Sequence, residues 1–268
     1  MATAMWKPSH QRRLTPSTYC IGSITKSFIS AAIAKLVDEK RVAWDTPIKD
    51  ILPEFQHDNP IITQMTTITD ILSHRSGLAG FGAMNLAFQG DGTMLLPKDS
   101  LFNIVNHILV LFPFRQSWRY FVWCYSLAGA IIERVTQKSL KEFLSKILFQ
   151  PLGMKNTSFS PKDAKLGKLA ELYAGLSDGS VFCLPKLQVF KDTFFEASGG
   201  MFSSLDDLMI WAGVMLKSIN STDIEDPFIK EAPYIFSNHA AMFNLSISER
   251  SYGLGWVRTQ LLGVVGLI

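Results

Sequence analysis

The stretch Cys20-Ile21-Gly22-Ser23-Ile24-Thr25-Lys26-Ser27-Phe28 sets a serine and a lysine three residues apart at the start of an apolar helical pattern. Residues three apart share a helix face, so the Lys26 amine can reach the Ser23 hydroxyl. The run Ile29, Ala32, Ile33, Leu36 and Val37 turns the other way, into a core. A serine hydroxyl is a poor nucleophile at neutral pH, and a lysine whose charged form is disfavoured by burial can take its proton. The positive end of the helix dipole would favour an oxyanion forming beside Ser23. The bland alternative makes Ser23 a helix N-cap and Lys26 a solvated first-turn residue. A chain of this length holds on the order of one Ser-x-x-Lys by chance, so the pair needs support from elsewhere.

Four blocks supply it: TYCIGSITKSFISAAIAKLVDEKRVAWDTPIKDILPEF (18–55), TTITDILSHRSGL (66–78), YSLAGAIIERVTQKSLKEFLSKILFQPLGMKNTSF (125–159) and YGLGWV (252–257). In this order they resemble the serine β-lactamase-like family, which includes class C β-lactamases, D-Ala-D-Ala carboxypeptidases and related esterases and acyltransferases. The resemblance runs from about Thr15 to Val257 and is nearest to the β-lactamase-like proteins of filamentous fungi. It implies an α/β (α+β) fold: an antiparallel sheet flanked by helices, plus a mostly helical subdomain over about residues 45–195. Residues 1–14 are expected to be a loose lead-in, and 15–268 a partial domain of this type.

The family pattern Tyr-x-Asn, with a glycine nine residues after the tyrosine, maps by counting back from Gly129 onto Tyr120, with Tyr125 as the second aromatic. The resemblance makes Tyr120 the partner of Lys26 in proton transfer. The asparagine is replaced by Val122, which removes an amide that would bond substrate and lysine, a loss of about 1–3 kcal/mol for an unpaired polar partner. Esters are therefore favoured over amides such as β-lactams. The turn Gly199-Gly200 resembles the family's double glycine beside the cleft, so Val122, Gly199 and Gly200 are expected substrate-binding positions. His74 and Arg75 are read as structural. Residues 79–112, rich in Gly, Met and Phe, read as a variable segment beside the cleft.

Two departures from the family pattern stand at the ends. The 22 residues before Ser23 leave little room for the family's leading β-hairpin, and the chain ends at Ile268 with no His-x-Gly or Lys-Thr-Gly motif after YGLGWV. A sheet incomplete at both ends is expected, with self-association through its exposed edges. Two functions follow from these features: an acyl-serine hydrolase or acyltransferase acting on a small-molecule ester, lactone or amide, as in secondary metabolite tailoring, or a truncated, inactive relative that only binds.

Composition narrows the rest. The chain has 268 residues, 47% apolar, enough for one large core. Its 26 basic and 23 acidic residues are interspersed, which gives no basic patch for nucleic acid. Five histidines and three cysteines (Cys20, Cys124, Cys183) fall at no metal-ligand spacing, so neither metal nor cofactor is expected, and buried thiols in a reducing compartment are. No apolar run reaches signal-peptide or membrane-spanning length, which points to a cytoplasmic protein without a membrane span.

Overall fold

The computed structural model describes residues 17–79, 96–160, 169–184, 193, 195–219, 227–242, 250–261 and 264–267. The lead-in over 1–14 and the glycines at 80, 82, 90 and 92 lie outside the described residues. Five helices organise the core: α1 (Thr25–Asp38), α2 (Ile68–Leu72), α3 (Val122–Thr136), α4 (Glu196–Gly199) and α5 (Leu205–Ile219).

Helix α1 is buried on nearly every side: Thr25 to Ala34 and Leu36 are all inaccessible to solvent. The sequence led us to expect one buried face. The second is covered because α1 packs against α3 and α4 together, and this covering takes Lys26 and Ser30 out of water. A helix enclosed in this way must satisfy its polar side chains internally. Ser27 donates to the Ile24 carbonyl at 2.8 Å and accepts from Trp211 Nε1 at 3.0 Å. Phe28 stacks on the Trp211 indole with ring centroids 4.4 Å apart, which pins α5 against α1.

The strands form small antiparallel sheets. β1 (Thr18–Cys20) pairs with β4 (Phe202–Ser204) in the register Thr18↔Ser204 and Cys20↔Phe202. β2 (Leu172–Gly175) and β3 (Val181–Leu184) form a hairpin that exposes Tyr173, Val181 and Phe182. β5 (Ala240–Ala241), β6 (Arg250–Tyr252), β7 (Val257–Leu261) and β8 (Val264–Leu267) form a four-stranded meander. The fold is thus α+β, as expected, but the described strands lie in three separate sheets. Within YGLGWV, Tyr252 ends β6, residues 253–256 turn, and Val257 begins β7. Gly255 explains why the chain must turn there. It takes φ +79°, and a β-carbon on it would stand 2.9 Å from the Lys26 carbonyl oxygen, so only glycine lets this turn lie against α1.

Local capping follows the sequence. Thr67 and Asp70 form a reciprocal capping box at the start of α2, and Ser204 Oγ accepts from the Asp207 N–H at the start of α5. The next short helix, Ile48–Ile51, has no side-chain cap. That helix is entered from Pro47, and its first N–H donates to the Thr66 carbonyl. Of the three thiols, Cys124 is buried, Cys20 half-buried and Cys183 exposed, so the expectation of buried thiols holds only for the first. Among the described residues, no helix is long and apolar enough to cross a membrane.

Asp70 is the charge on which the segment next to the site depends. It is fully buried and accepts from Arg75 Nε at 2.6 Å and Arg115 Nη2 at 2.7 Å, besides the N–H and hydroxyl of Thr67. Burial alone would raise its carboxyl, but the bonds from Arg115, Thr67 and Arg75 outweigh it and hold the group below the ordinary carboxylate range. Asp70→Ala strands two guanidiniums and is expected to cost about 3–5 kcal/mol of stability, read as a lowered denaturant midpoint. A loss under about 1 kcal/mol would contradict this.

Candidate active site

Ser23 stands at the junction of strand and helix. β1 ends at Cys20, the Ile21 N–H donates to the Met201 carbonyl at 3.0 Å, and Gly22 turns through φ +48°, a left-handed conformation that glycine adopts without strain. The tight helical turn Gly22–Ile24 then feeds α1. The side chain of Ser23 caps nothing; it is exposed and stays in hydrogen-bonding range of two other groups.

These groups are the two predicted from the sequence. A hydrogen bond of 2.6 Å links Ser23 Oγ and the Tyr120 hydroxyl, across 97 residues of chain. Lys26 Nζ donates to Ser23 Oγ at 3.2 Å and to the Ser198 carbonyl at 2.5 Å, and lies 4.8 Å from the centre of the Tyr120 ring. Lys26 is only 1% exposed, which rules out the solvated first-turn lysine. Burial lowers its amine from the usual lysine range to about 7, because the charged form loses its hydration. Tyr120 is half-buried, and burial raises its phenol, an effect only partly offset by the bond to Ser23. The two groups therefore differ in kind at neutral pH: the amine can release its proton, whereas the phenol holds its own.

The other expected positions fall around this triangle. Gly199 ends α4 and Gly200 follows it, both buried. They thread the backbone past the first turn of α1, where the Met201 N–H donates to Thr25 Oγ1 at 3.2 Å. Val122 opens α3 and is 3% exposed, packed in the core, so it offers a ligand almost no surface. The Ser198 carbonyl, which fixes the Lys26 amine, was missed from the sequence, since a backbone oxygen has no residue signature. Tyr125, read from the sequence only as the pattern's second aromatic, is a site neighbour, and Tyr252, which packs against His74 behind Tyr120, was missed. The Tyr125 hydroxyl donates to the Leu72 carbonyl at 2.8 Å, and its ring lies 5.4 Å from Lys26 Nζ. The Tyr125 and Tyr252 rings are both buried.

A family model described as Beta-lactamase matches residues 9–266. The unguisins hydrolase ungD' of Aspergillus campestris (strain IBT 28561) is 28% identical over 261 residues, 94% of this chain and 47% of that protein. Esterase EstB of Burkholderia gladioli is 25% identical over 267 residues, covering 88% of this chain and 64% of the esterase. Among solved structures, the octameric penicillin-binding protein homologue from Pyrococcus abyssi superposes with a TM-score of 0.78 at 22% identity, over 94% of this chain and 56% of that one. The chain thus spans about half the length of the unguisins hydrolase and less than two thirds of the esterase.

Proposed function

Since the chain belongs to the β-lactamase family, we propose that it is a serine hydrolase that passes an acyl group through Ser23. The observation that carries this reading is the triangle of Ser23, Lys26 and Tyr120, with an exposed hydroxyl between a buried amine near neutrality and a protonated phenol. In the charged state the Lys26 ammonium donates to Ser23 and to Ser198. Once it loses a proton, the amine keeps its bond to the Ser198 carbonyl and turns its lone pair toward Ser23. Ser23 Oγ then attacks the carbonyl carbon of an ester or amide as its proton moves to Lys26. Tyr120, 2.6 Å away, gives its proton to the departing oxygen or nitrogen and recovers one from Lys26. Water resolves the acyl-serine by the reverse path; an alcohol or amine in its place would make the protein an acyltransferase.

The substrate is a small molecule, and esters fit better than amides because Val122 supplies no amide group where the family pattern has one. The fungal relative, named a hydrolase, supports a tailoring step on a secondary metabolite. Three free thiols suit a reducing, cytoplasmic setting, and the exposed β2–β3 hairpin offers an edge for self-association.

A p-nitrophenyl ester tests the reading. A burst of p-nitrophenol equal to the enzyme concentration, followed by slower turnover, is expected, and release no faster than in buffer would overturn it. Tyr120→Phe keeps the ring and removes only the transferable proton, so it is expected to slow the burst by about 10²- to 10⁴-fold. A phenylalanine variant with the wild-type burst would remove Tyr120 from the chemistry.

A further inference from the structure

His74 is buried, 1% exposed, and sits in the left-handed region at φ +58°. It has two contacts with the strand of chain that carries Tyr120, one on each side of that residue. Its carbonyl accepts from the Arg119 N–H at 2.9 Å, and its Nδ1 accepts from the Phe121 N–H at 3.1 Å. Its ring lies 4.6 Å from the Tyr120 ring, at 44°. Because Nδ1 is an acceptor, the neutral imidazole carries its proton on Nε2, which finds no hydrogen-bond partner among the surrounding rings of Trp118, Tyr120, Tyr125 and Tyr252. A buried, unpartnered polar atom costs stability that a leucine would not, and an ordinary packing role does not explain it.

We propose that His74 is a positioning residue for Tyr120, holding the backbone on both sides of the tyrosine so that its hydroxyl meets Ser23. This rests on the acyl-serine reading above. The bracket is braced further along, where the Arg115 N–H donates to the Arg75 carbonyl and Asp70 binds both arginines. The Ser23–Tyr120 bond joins elements 97 residues apart, and nothing in the helix of Ser23 itself fixes where the phenol arrives. A displacement of about 1 Å at such a distance can cost about 100-fold in rate.

His74→Leu removes the acceptor for the Phe121 N–H and places a branched side chain in a left-handed backbone. It is expected to slow acylation by about 100-fold while changing KM less than about threefold. His74→Asn puts a carbonyl oxygen where Nδ1 was, and asparagine tolerates this backbone, so it should recover at least about tenfold of that loss. His74→Gln reaches the Nε2 position instead and should not recover it, which keeps the comparison decisive if the leucine variant does not fold. In the Tyr120→Phe background, His74→Leu should cost no more than about threefold, because it acts through the missing hydroxyl. His74→Leu acylating at the wild-type rate, His74→Asn no faster than His74→Gln, or losses that multiply in the double variant would each overturn the proposal. Wild-type protein that forms no acyl-enzyme would instead remove the reading beneath it.

Discussion

Replacement of Ser23 by alanine is expected to slow ester hydrolysis by about 10⁶-fold in kcat, the scale on which a serine hydrolase loses its nucleophile. Among the described residues, the neighbouring thiols and phenol are poor substitutes. Cys20 is three residues away, but burial raises its thiol, so it is less of a thiolate than a free cysteine. Cys124 is fully buried in α3 and its thiol is pushed up further by the same cause. The Tyr120 phenol keeps its proton at neutral pH. The fold should be indifferent to the change, because Ser23 is exposed and caps no helix. An alanine variant with wild-type stability and more than about 1% of wild-type turnover would place the nucleophile elsewhere.

Lys26→Met is expected to act in opposite directions on activity and on stability. Activity should fall by about 10³-fold or more, since both the removal of the serine proton and its return pass through the amine. Stability at pH 7 should rise by about 1–3 kcal/mol: burial that lowers the amine to about 7 represents a penalty on the order of 4 kcal/mol, against which the lost bond to the Ser198 carbonyl weighs about 1–3 kcal/mol. The sign with pH is fixed. The unfolded lysine holds its proton up to the usual lysine range and the folded one only up to about 7, so wild-type stability climbs with pH between the two. The advantage of methionine should therefore be greatest at pH 7 and below, and fade toward pH 10. The acid limb of wild-type turnover should fall with a midpoint near 7, where the amine gains its proton. A methionine variant less stable than wild type by more than about 1 kcal/mol at pH 7 would contradict the burial penalty.

Sites that trade stability for chemistry in this way are where local sequence rules and the fold disagree, and the disagreement was partly legible here. Ser23 and Lys26 could be read together because their relation is local, three residues on one helix. Tyr120 could be reached only by counting back along the family pattern from Gly129, since nothing near it in sequence marks it as a partner of Ser23. The Ser198 carbonyl lies 172 residues from Lys26 and belongs to the backbone, so no residue type announces it. His74 carried a signal that went unused: histidine is among the few residues that accept a left-handed backbone, but which N–H groups it would accept depends on how residues 109–121 lie against residues 74–79. The α+β class was legible from helical periodicity and block order. The turn at Gly255 follows from its close approach to α1, and the division of the strands into separate sheets is likewise not encoded in periodicity. Val122 shows the converse: the sequence marked a substitution at a cleft position, and the structure buries that side chain in the core.

On this reading the hydroxyl at position 23 is the group that becomes acylated. Labelling the folded protein with a fluorophosphonate, digesting it and mapping the adduct by mass spectrometry tests this directly. A single adduct is expected, on Ser23, absent in Ser23→Ala and slowed about 10³-fold in Lys26→Met. An adduct on another residue, or none in protein shown to be folded, would contradict it.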